Sequence, residues 1–230
     1  VALNLLGGTP TICLLNNITT DNTINLNNTN IDLNGFTLKN NKDTLITTHG
    51  ICRVYNGALH SEDVSSGIIV GRNSTCYIEN ISFKSENLGG NNIAINVYGN
   101  VYISNSEIEI YSLTSSLNTV TIAVYGNLFS NVSIEKSNIV AKSDFGRVDG
   151  VCVGDVGRIT DSNIVACANY QSDENDFTSC AIGCNNLGSI QVNNCVIYGV
   201  HSGILLSVIS NVRPLYGSFN LDYPCFSFWI

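Results

Sequence analysis

A six-residue unit recurs along this chain and constrains its fold more than any other feature. The unit reads apolar, any residue, usually asparagine, small, any residue, apolar. Its copies begin at Val54, Ile78, Ile103, Ile134, Ile159 and Val192. A further copy, within residues 31–38, fits with a shift of one residue. The spacing between copies runs from the low twenties to the low thirties, which is typical of a solenoid whose turns accept insertions in one loop.

Short apolar runs rich in β-branched residues precede the unit. They lie at residues 67–70, 93–97, 120–124, 150–153 and 180–182. Such runs, bounded by turn residues, predict strands, and no stretch of the chain has a convincing helical period. Four insertions fall at the same phase of the repeat and are predicted to project from one side, at residues 84–92, 111–119, 141–149 and 168–179.

The third position of the unit holds side chains that form hydrogen bonds readily. They are Asn56, Asn80, Asn105, Asp161 and Asn194, with Lys136 as the exception. One coil cannot bury its apolar residues alone, but stacked coils share a core and pair each strand with its neighbours. Stacking predicts that these five side chains form a buried ladder, which hydrogen-bonds the backbone at a bend.

Together, the repeat and the ladder resemble the right-handed parallel β-helix superfamily, the pectin-lyase-like fold with its internal asparagine ladder. The resemblance covers roughly residues 25–207. It implies an all-β solenoid of about seven to eight coils. Residues 1–24 are predicted to form an N-terminal cap or first coil, and residues 208–230 an irregular aromatic cap or a subunit contact. Lyases, hydrolases, adhesins and phage tailspikes all use this fold, so it specifies architecture and not function.

The charge of the chain argues against nucleic acid as a partner. There are 18 acidic and 10 basic residues, for a net charge of −8, and the basic residues form no cluster. Clustered Lys and Arg are what a phosphate backbone requires. The same deficit favours neutral glycans over polyanionic ones. The longest apolar stretch, residues 204–209, is far shorter than the ~20 residues that cross a bilayer, so no membrane span is expected.

The nine cysteines are an odd number with no regular spacing. Disulfide-stapled secreted domains show even, patterned sets, whereas a free thiol packs as a small hydrophobe in apolar stretches like these. The cysteines are therefore predicted to be reduced, which implies assembly in a reducing cytoplasm even for a protein that acts outside. No cofactor or metal is predicted. Calcium is left open by the acidic segment 173–176, whose spacing matches no recognised calcium loop.

Asp149 and Asp155 remain as catalytic candidates, because they flank the strand 150–154 and lie near Arg147 and Arg158. A glycosidase needs two carboxyl groups across the scissile bond. However, an aspartate beside a glycine is usually a turn residue. We also find no lyase arginine signature, no histidine partner for a nucleophile and no glycine-rich phosphate loop. The chain is interpreted as non-catalytic, with a polysaccharide lyase or glycoside hydrolase as the alternative.

Aromatic residues support a binding hypothesis. Tyr111, Phe145, Arg147 and Tyr170 fall in the insertions, which stacked coils would bring onto one face as a glycan site. A second set lies at outward positions just before the units: Arg53, Tyr77, Tyr102, Ser133, Arg158 and Gln191. Exposed rings for sugar faces and amides for hydroxyl groups are what a sugar-binding groove requires. The opposing interpretation is that isolated surface tyrosines are common in sheets.

The leading hypothesis is a non-catalytic structural and glycan-binding or adhesion module of a virion fibre, tailspike or cell surface. Its expected partners are glycans or other virion or surface proteins, and a homotrimer would favour the fibre. The alternatives are the polysaccharide-degrading enzyme and a purely structural spacer in a larger assembly. The sequence does not rank the fibre module above the spacer.

Overall fold

The structure is a computed structural model that describes residues 2–4, 9–41, 44–62, 65–87, 91–113, 119–168, 179–184, 189–199, 202–206 and 211–214. These ranges hold 24 β-strands and no helix. In chain order the strands are β1 (Ala2–Asn4), β2 (Thr11–Cys13), β3 (Ile18–Thr20), β4 (Ile24–Asn27), β5 (Asn30–Asp32), β6 (Thr37–Asn40), β7 (Ile46–His49), β8 (Ile51–Glu62), β9 (Ser66–Val70), β10 (Thr75–Asn87), β11 (Asn92–Val97), β12 (Asn100–Ser104), β13 (Glu107–Ser112), β14 (Val120–Gly126), β15 (Asn131–Glu135), β16 (Asn138–Ser143), β17 (Arg147–Val153), β18 (Val156–Thr160), β19 (Asn163–Ala168), β20 (Ser179–Cys184), β21 (Ser189–Asn193), β22 (Val196–Gly199), β23 (Ser202–Leu206) and β24 (Asn211–Pro214).

Strands at the same place in successive repeats pair in parallel and form three stacks. The first strands are β2, β5, β8, β10, β12, β15, β18, β21 and β24. The second strands are β3, β6, β13, β16, β19 and β22, together with the latter parts of β8 and β10, which run through from the first stack. The third strands form a separate sheet, β4, β7, β9, β11, β14, β17, β20 and β23. At the N-terminal edge, β1 pairs antiparallel with β2.

The two apolar positions of the six-residue unit build two columns of the core. In the first strands, the register aligns Val54, Ile78, Ile103, Ile134, Ile159 and Val192. In the second strands, it aligns Leu59, Phe83, Ile108, Ile139, Ile164 and Ile197. All twelve side chains are buried in one continuous cluster. The predicted all-β stack of parallel strands around a shared core is therefore confirmed, and burial of these columns is its main stabilising interaction.

The second and third strands are longer than the sequence indicated. β10 continues to Asn87 and β13 to Ser112, so both extend into segments that were predicted as loops. Residues 141–149 hold the end of β16 and the start of β17, separated by the bend 144–146. The reason is that neighbouring repeats satisfy the backbone hydrogen bonds of these residues, so polar outward side chains do not end a strand.

The third position of the unit is a bend between the first and second strands, where the backbone is left-handed. Asn56, Asn80, Asn105, Lys136, Asp161 and Asn194 all have φ between 48° and 59°. Asparagine and aspartate tolerate this conformation better than other residues with a Cβ atom. Lys136 therefore departs from the chemical pattern of the column but not from its backbone geometry.

The side chains at this position are aligned, as predicted, but the column faces solvent instead of the core. Asn80 Nδ2 donates to Asn56 Oδ1 at 3.3 Å, and Asn194 Nδ2 donates to Asp161 Oδ1 at 2.6 Å. Asn56, Asn80, Asn105, Asp161 and Asn194 are all exposed. Left-handed φ values turn these side chains away from the interior, so the expectation of a buried ladder is corrected here.

The buried hydrogen-bonded column is formed by the next residue of the unit. The hydroxyl groups of Ser106, Ser137 and Ser162 donate to the carbonyl groups two residues earlier, at 2.7 to 2.8 Å. Each of these oxygens also accepts the backbone N–H of the matching residue in the preceding repeat, at 3.1 to 3.2 Å. The small position of the unit therefore satisfies buried backbone groups at the bend.

Asn105→Gly should change the free energy of unfolding by no more than about 0.5 kcal/mol, whereas Asn105→Leu should lower it by about 1–2 kcal/mol. Glycine adopts a φ of 49° without steric strain, and leucine does not. Urea denaturation measures the difference. Glu107→Leu, on an exposed strand residue, serves as the control for adding surface hydrophobicity. Equal losses for glycine and leucine would show that the amide group, and not the backbone conformation, decides this position.

None of the eight described cysteines forms a disulfide, and Cys225 lies outside the described residues. Burial, with a further contribution from Asp149, raises the pKa of Cys152 to about 12. Burial also raises the pKa of Cys76 and Cys180 far above the ordinary thiol value. Because the thiolate is the reactive form, these cysteines act as small apolar side chains at neutral pH.

Candidate functional site

The outer face of the first-strand stack carries a row of aromatic and polar side chains. Backbone pairing aligns Arg53, Tyr77, Tyr102, Ser133, Arg158 and Gln191 on consecutive strands. The sequence predicted this set as outward positions, and the register confirms that its members are neighbours. Side chains in such a row lie one strand spacing apart, about 4.8 Å.

Two tyrosines in this row stack on each other. The ring centroids of Tyr77 and Tyr102 are 5.0 Å apart and their planes differ by 15°. Arg53 lies on the preceding strand of the stack. Its guanidinium carbon is 5.8 Å from the centroid of the Tyr77 ring. Tyr102 ends the stack and is 42% exposed. Offset stacking and the cation–π contact hold the rings in place, which favours a rigid platform.

A small side chain follows Tyr102 in the row, and we call the space that it leaves the gap. The next residue is Ser133, and Arg158 comes after it. Since paired strands lie about 4.8 Å apart, the small serine leaves about 9.6 Å between the backbones that carry Tyr102 and Arg158. Asn131 lies two residues before Ser133, and its Nδ2 donates to Asn100 Oδ1 at 2.7 Å. The gap therefore has an aromatic side chain on one side, a guanidinium on the other and an amide pair nearby.

A groove of about 980 Å³ runs along the bend between the first and second strands. We call it the bend groove. Its lining combines apolar surface with polar groups: the side chains of Asn80, Ser82, Asn105, Asn138, Asn163 and Asn194, and the buried Ser106, Ser137 and Ser162, whose hydroxyl groups already bond to the backbone. Its charged residues are Glu107, Lys136 and Asp161. Amide and hydroxyl groups both donate and accept hydrogen bonds, as do the hydroxyl groups of sugars.

A second pocket, of about 710 Å³, lies at the other end of the first strands. We call it the Phe129 pocket. Its lining includes Arg72, Asn73, Tyr98, Asn100, Tyr125, Asn127 and Phe129. Phe129 is 82% exposed and has a φ of 66°, which is rare for a bulky residue. Backbone strain of this kind is concentrated at functional sites, where the surroundings hold it in place.

The bend groove, the tyrosine row and the Phe129 pocket form one surface, which we call the tyrosine face. β12 and the bend residue that follows it connect all three, because Asn100 lines the Phe129 pocket, Tyr102 belongs to the stack and Asn105 lines the bend groove. Five residues of extended chain span about 17 Å. The tyrosine face is therefore long enough for a ligand of several rings.

The three described residues of the ligand site predicted in the insertions, Tyr111, Phe145 and Arg147, lie outside the tyrosine face. The hydroxyl group of Tyr111 donates to Asp144 Oδ1 at 2.8 Å, and this bond raises the pKa of Tyr111. Phe145 is half-buried in the bend between β16 and β17, and Arg147 begins β17. Tyr170 lies outside the described residues. The structure thus connects Tyr111 with the bend that carries Phe145, but through Asp144, which the sequence did not single out.

Asp149, the first catalytic candidate, is fully buried. Its Oδ2 lies 2.7 Å from Arg147 Nη2, and its Oδ1 accepts the thiol hydrogen of Cys180 at 3.0 Å. Asp155 is half-buried in the bend after β17. A glycosidase would need the two carboxyl groups about 5 to 9.5 Å apart, and a catalytic role for Asp149 and Asp155 stays a prediction.

Comparison of the chain with models of known protein families, with curated proteins and with solved structures returns no match. In the described part of the chain, no helix is long and apolar enough to cross a membrane.

Proposed function

We propose that this protein is a non-catalytic, glycan-binding structural module that holds neutral oligosaccharides along the tyrosine face. The observation that carries the proposal is the gap beside Tyr102. A sugar ring over Ser133 would take the next place in the aromatic stack, with its apolar face against Tyr102. Its hydroxyl groups would then face Arg158 and Asn131. An aromatic ring with a polar edge provides the apolar contact that a sugar face requires.

The bend groove and the Phe129 pocket supply contacts for neighbouring sugar units. The amides of the bend groove and of the Phe129 pocket offer donors and acceptors in fixed positions, because bonds such as Asn163 Nδ2 to Asn138 Oδ1 at 2.8 Å orient them. Ordered polar groups on a rigid scaffold reduce the entropy lost on binding. A net charge of −8 disfavours polyanionic glycans.

The proposal extends to the assembly. We infer a right-handed parallel β-helix of the pectin-lyase-like type, with about seven to eight coils, as part of a virion fibre, tailspike or cell-surface structure. A homotrimer fits such a fibre, and the other partners would be virion or surface proteins. Stacked parallel strands with free thiols support a module that assembles in a reducing cytoplasm. Glycan binding at the tyrosine face requires no cofactor.

Removing the exposed ring should weaken glycan binding. Tyr102→Ala should lower the affinity for a neutral oligosaccharide roughly tenfold, because the sugar loses its stacking surface. Ser133→Trp should abolish binding by filling the gap with a second ring. A glycan array identifies the ligand, and isothermal titration calorimetry then measures its affinity for each variant.

Tyr111→Ala is the matched control, because it removes a tyrosine from outside the tyrosine face. Unchanged binding in this variant supports the proposal. Loss of binding in Tyr111→Ala, with full binding in Tyr102→Ala and Ser133→Trp, would move the site to the segments predicted as insertions. An array without any hit would favour the structural spacer. Cleavage of a polysaccharide that disappears in Asp149→Asn or Asp155→Asn would establish the enzyme instead.

A further inference from the structure

The outer face of the second strands brings together a histidine and two glutamates. His60 and Glu62 lie two residues apart on β8, on the same side of the strand. Glu86 lies on β10, directly opposite Glu62 in the register. One ligand atom from each of the three residues lies within 4.8 Å of the other two. The cluster is thus built across two adjacent repeats.

The polar atoms of this cluster are incompletely satisfied among the described residues. His60 Nε2 is buried and lies 2.9 Å from Glu62 Oε1, but it has no hydrogen-bond partner of acceptable geometry. Glu86 has no ion pair within the described part of the chain and faces a second carboxylate. A cation bound by all three groups would give both His60 Nε2 and Glu86 a partner.

We propose that His60, Glu62 and Glu86 bind a divalent transition-metal ion, of which Zn²⁺ is the best match. An imidazole nitrogen with two carboxylates suits zinc, whereas Mg²⁺ and Ca²⁺ prefer oxygen ligands alone. Ligand atoms at 2.0–2.2 Å from a tetrahedral zinc ion are about 3.4 Å from each other. The present separations, from 2.9 Å up to 4.8 Å, bracket that value. Small side-chain rotations close the site, and water completes the coordination.

Lys39 competes with the ion. Its Nζ lies 2.6 Å from Glu62 Oε1, and this hydrogen bond holds the pKa of Glu62 below its usual value. The Glu62 carboxylate thus already binds one cationic group, the ammonium of Lys39. Zn²⁺ must displace Lys39 from Glu62, so removing the lysine charge should strengthen metal binding.

Calorimetric titration of Zn²⁺ into the chelator-treated protein tests the site. Thiols also bind zinc, so the background replaces Cys13 and Cys167, which are partly exposed, and Cys225 with serine. In this background, His60→Gln and Glu86→Gln should each weaken zinc binding at least about tenfold. Lys39→Gln should strengthen it, and neither Mg²⁺ nor Ca²⁺ should replace zinc.

Glu109→Gln is the control, since Glu109 lies on the same face but pairs with Lys142 at 3.1 Å. It should leave the zinc affinity unchanged. An independent measurement is the proton NMR spectrum, in which zinc should shift the ring signals of His60 and not those of His49. The proposal is overturned if the serine background binds no zinc, or if His60→Gln binds it as tightly as the parent.

Discussion

Phe83→Ala should lower the free energy of unfolding by about 3–5 kcal/mol, the range for removing a fully buried aromatic side chain. Phe83 is 0% exposed and is among the largest buried side chains of the described core. Its ring end lies over Gly67, where an added Cβ would collide with Phe83 Cζ. The ring therefore occupies the space next to Gly67, which has no side chain of its own. Urea denaturation measures the loss. The dependence of the unfolding free energy on urea concentration should stay unchanged.

A double-mutant cycle tests the same contact. Gly67→Ala should be strongly destabilising in the parent because the new methyl group meets the ring and also approaches the carbonyl oxygen of Ala94 at 2.8 Å. In the Phe83→Ala background it should cost at least about 1 kcal/mol less, since the ring is gone. Leu128→Ala, on an exposed turn residue, should stay within about 0.5 kcal/mol of the parent. Additive effects of the two core substitutions would refute the packing described here.

Arg147→Gln should lower the free energy of unfolding by about 3 kcal/mol. This is the lower end of the range for breaking a buried ion pair, because the arginine side chain is 45% exposed while that of Asp149 is 1% exposed. Without the guanidinium group, the thiol of Cys180 is the hydrogen-bond partner that the buried carboxylate keeps among the described residues. An unpaired buried charge costs far more free energy than an uncharged amide in its place. Thermal unfolding or urea denaturation at moderate salt measures the difference. Guanidinium chloride is avoided as a denaturant because it screens ion pairs.

The reversal experiment is the double variant Arg147→Gln with Asp149→Asn, which should recover most of the lost stability because neither charge remains. Arg158→Gln is the matched control, since Arg158 is an exposed arginine on the tyrosine face. Its effect should stay within about 0.5 kcal/mol. If Arg147→Gln costs no more than Arg158→Gln, the ion pair does not stabilise the fold.

The pairing of repeats was predictable from the sequence because it rests on spacing alone. A strand has a side-chain period of two, so an apolar residue at each end of a six-residue unit can be buried in every repeat only in one register. That register aligns Ile78 with Ile103 and, one residue earlier, Tyr77 with Tyr102. The preference of asparagine for left-handed φ also marked the bends, although it did not show which way the side chain points.

The ends of the strands were not predictable in the same way. Glu107, Glu109 and Tyr111 alternate with Ile108 and Ile110 in β13, but the polar residues weaken the local apolar signal. Pairing with β10 and β16 satisfies the backbone whatever the outward side chains are. Residues that resembled the start of a loop are therefore part of a strand.

Sequence alone thus determined which residues face the core and which repeats lie next to each other, because hydrophobic burial depends on residue type and spacing. Only the tertiary structure decided the polar clusters. Asp149, which pairs with Arg147, accepts a hydrogen bond from Cys180 of the next repeat. Glu62 lies opposite Glu86, which is 24 residues further along the chain. Loop lengths differ between repeats, so no fixed motif spacing links such residues. Their contacts follow from side-chain direction and distance, which exist only once the strands have stacked.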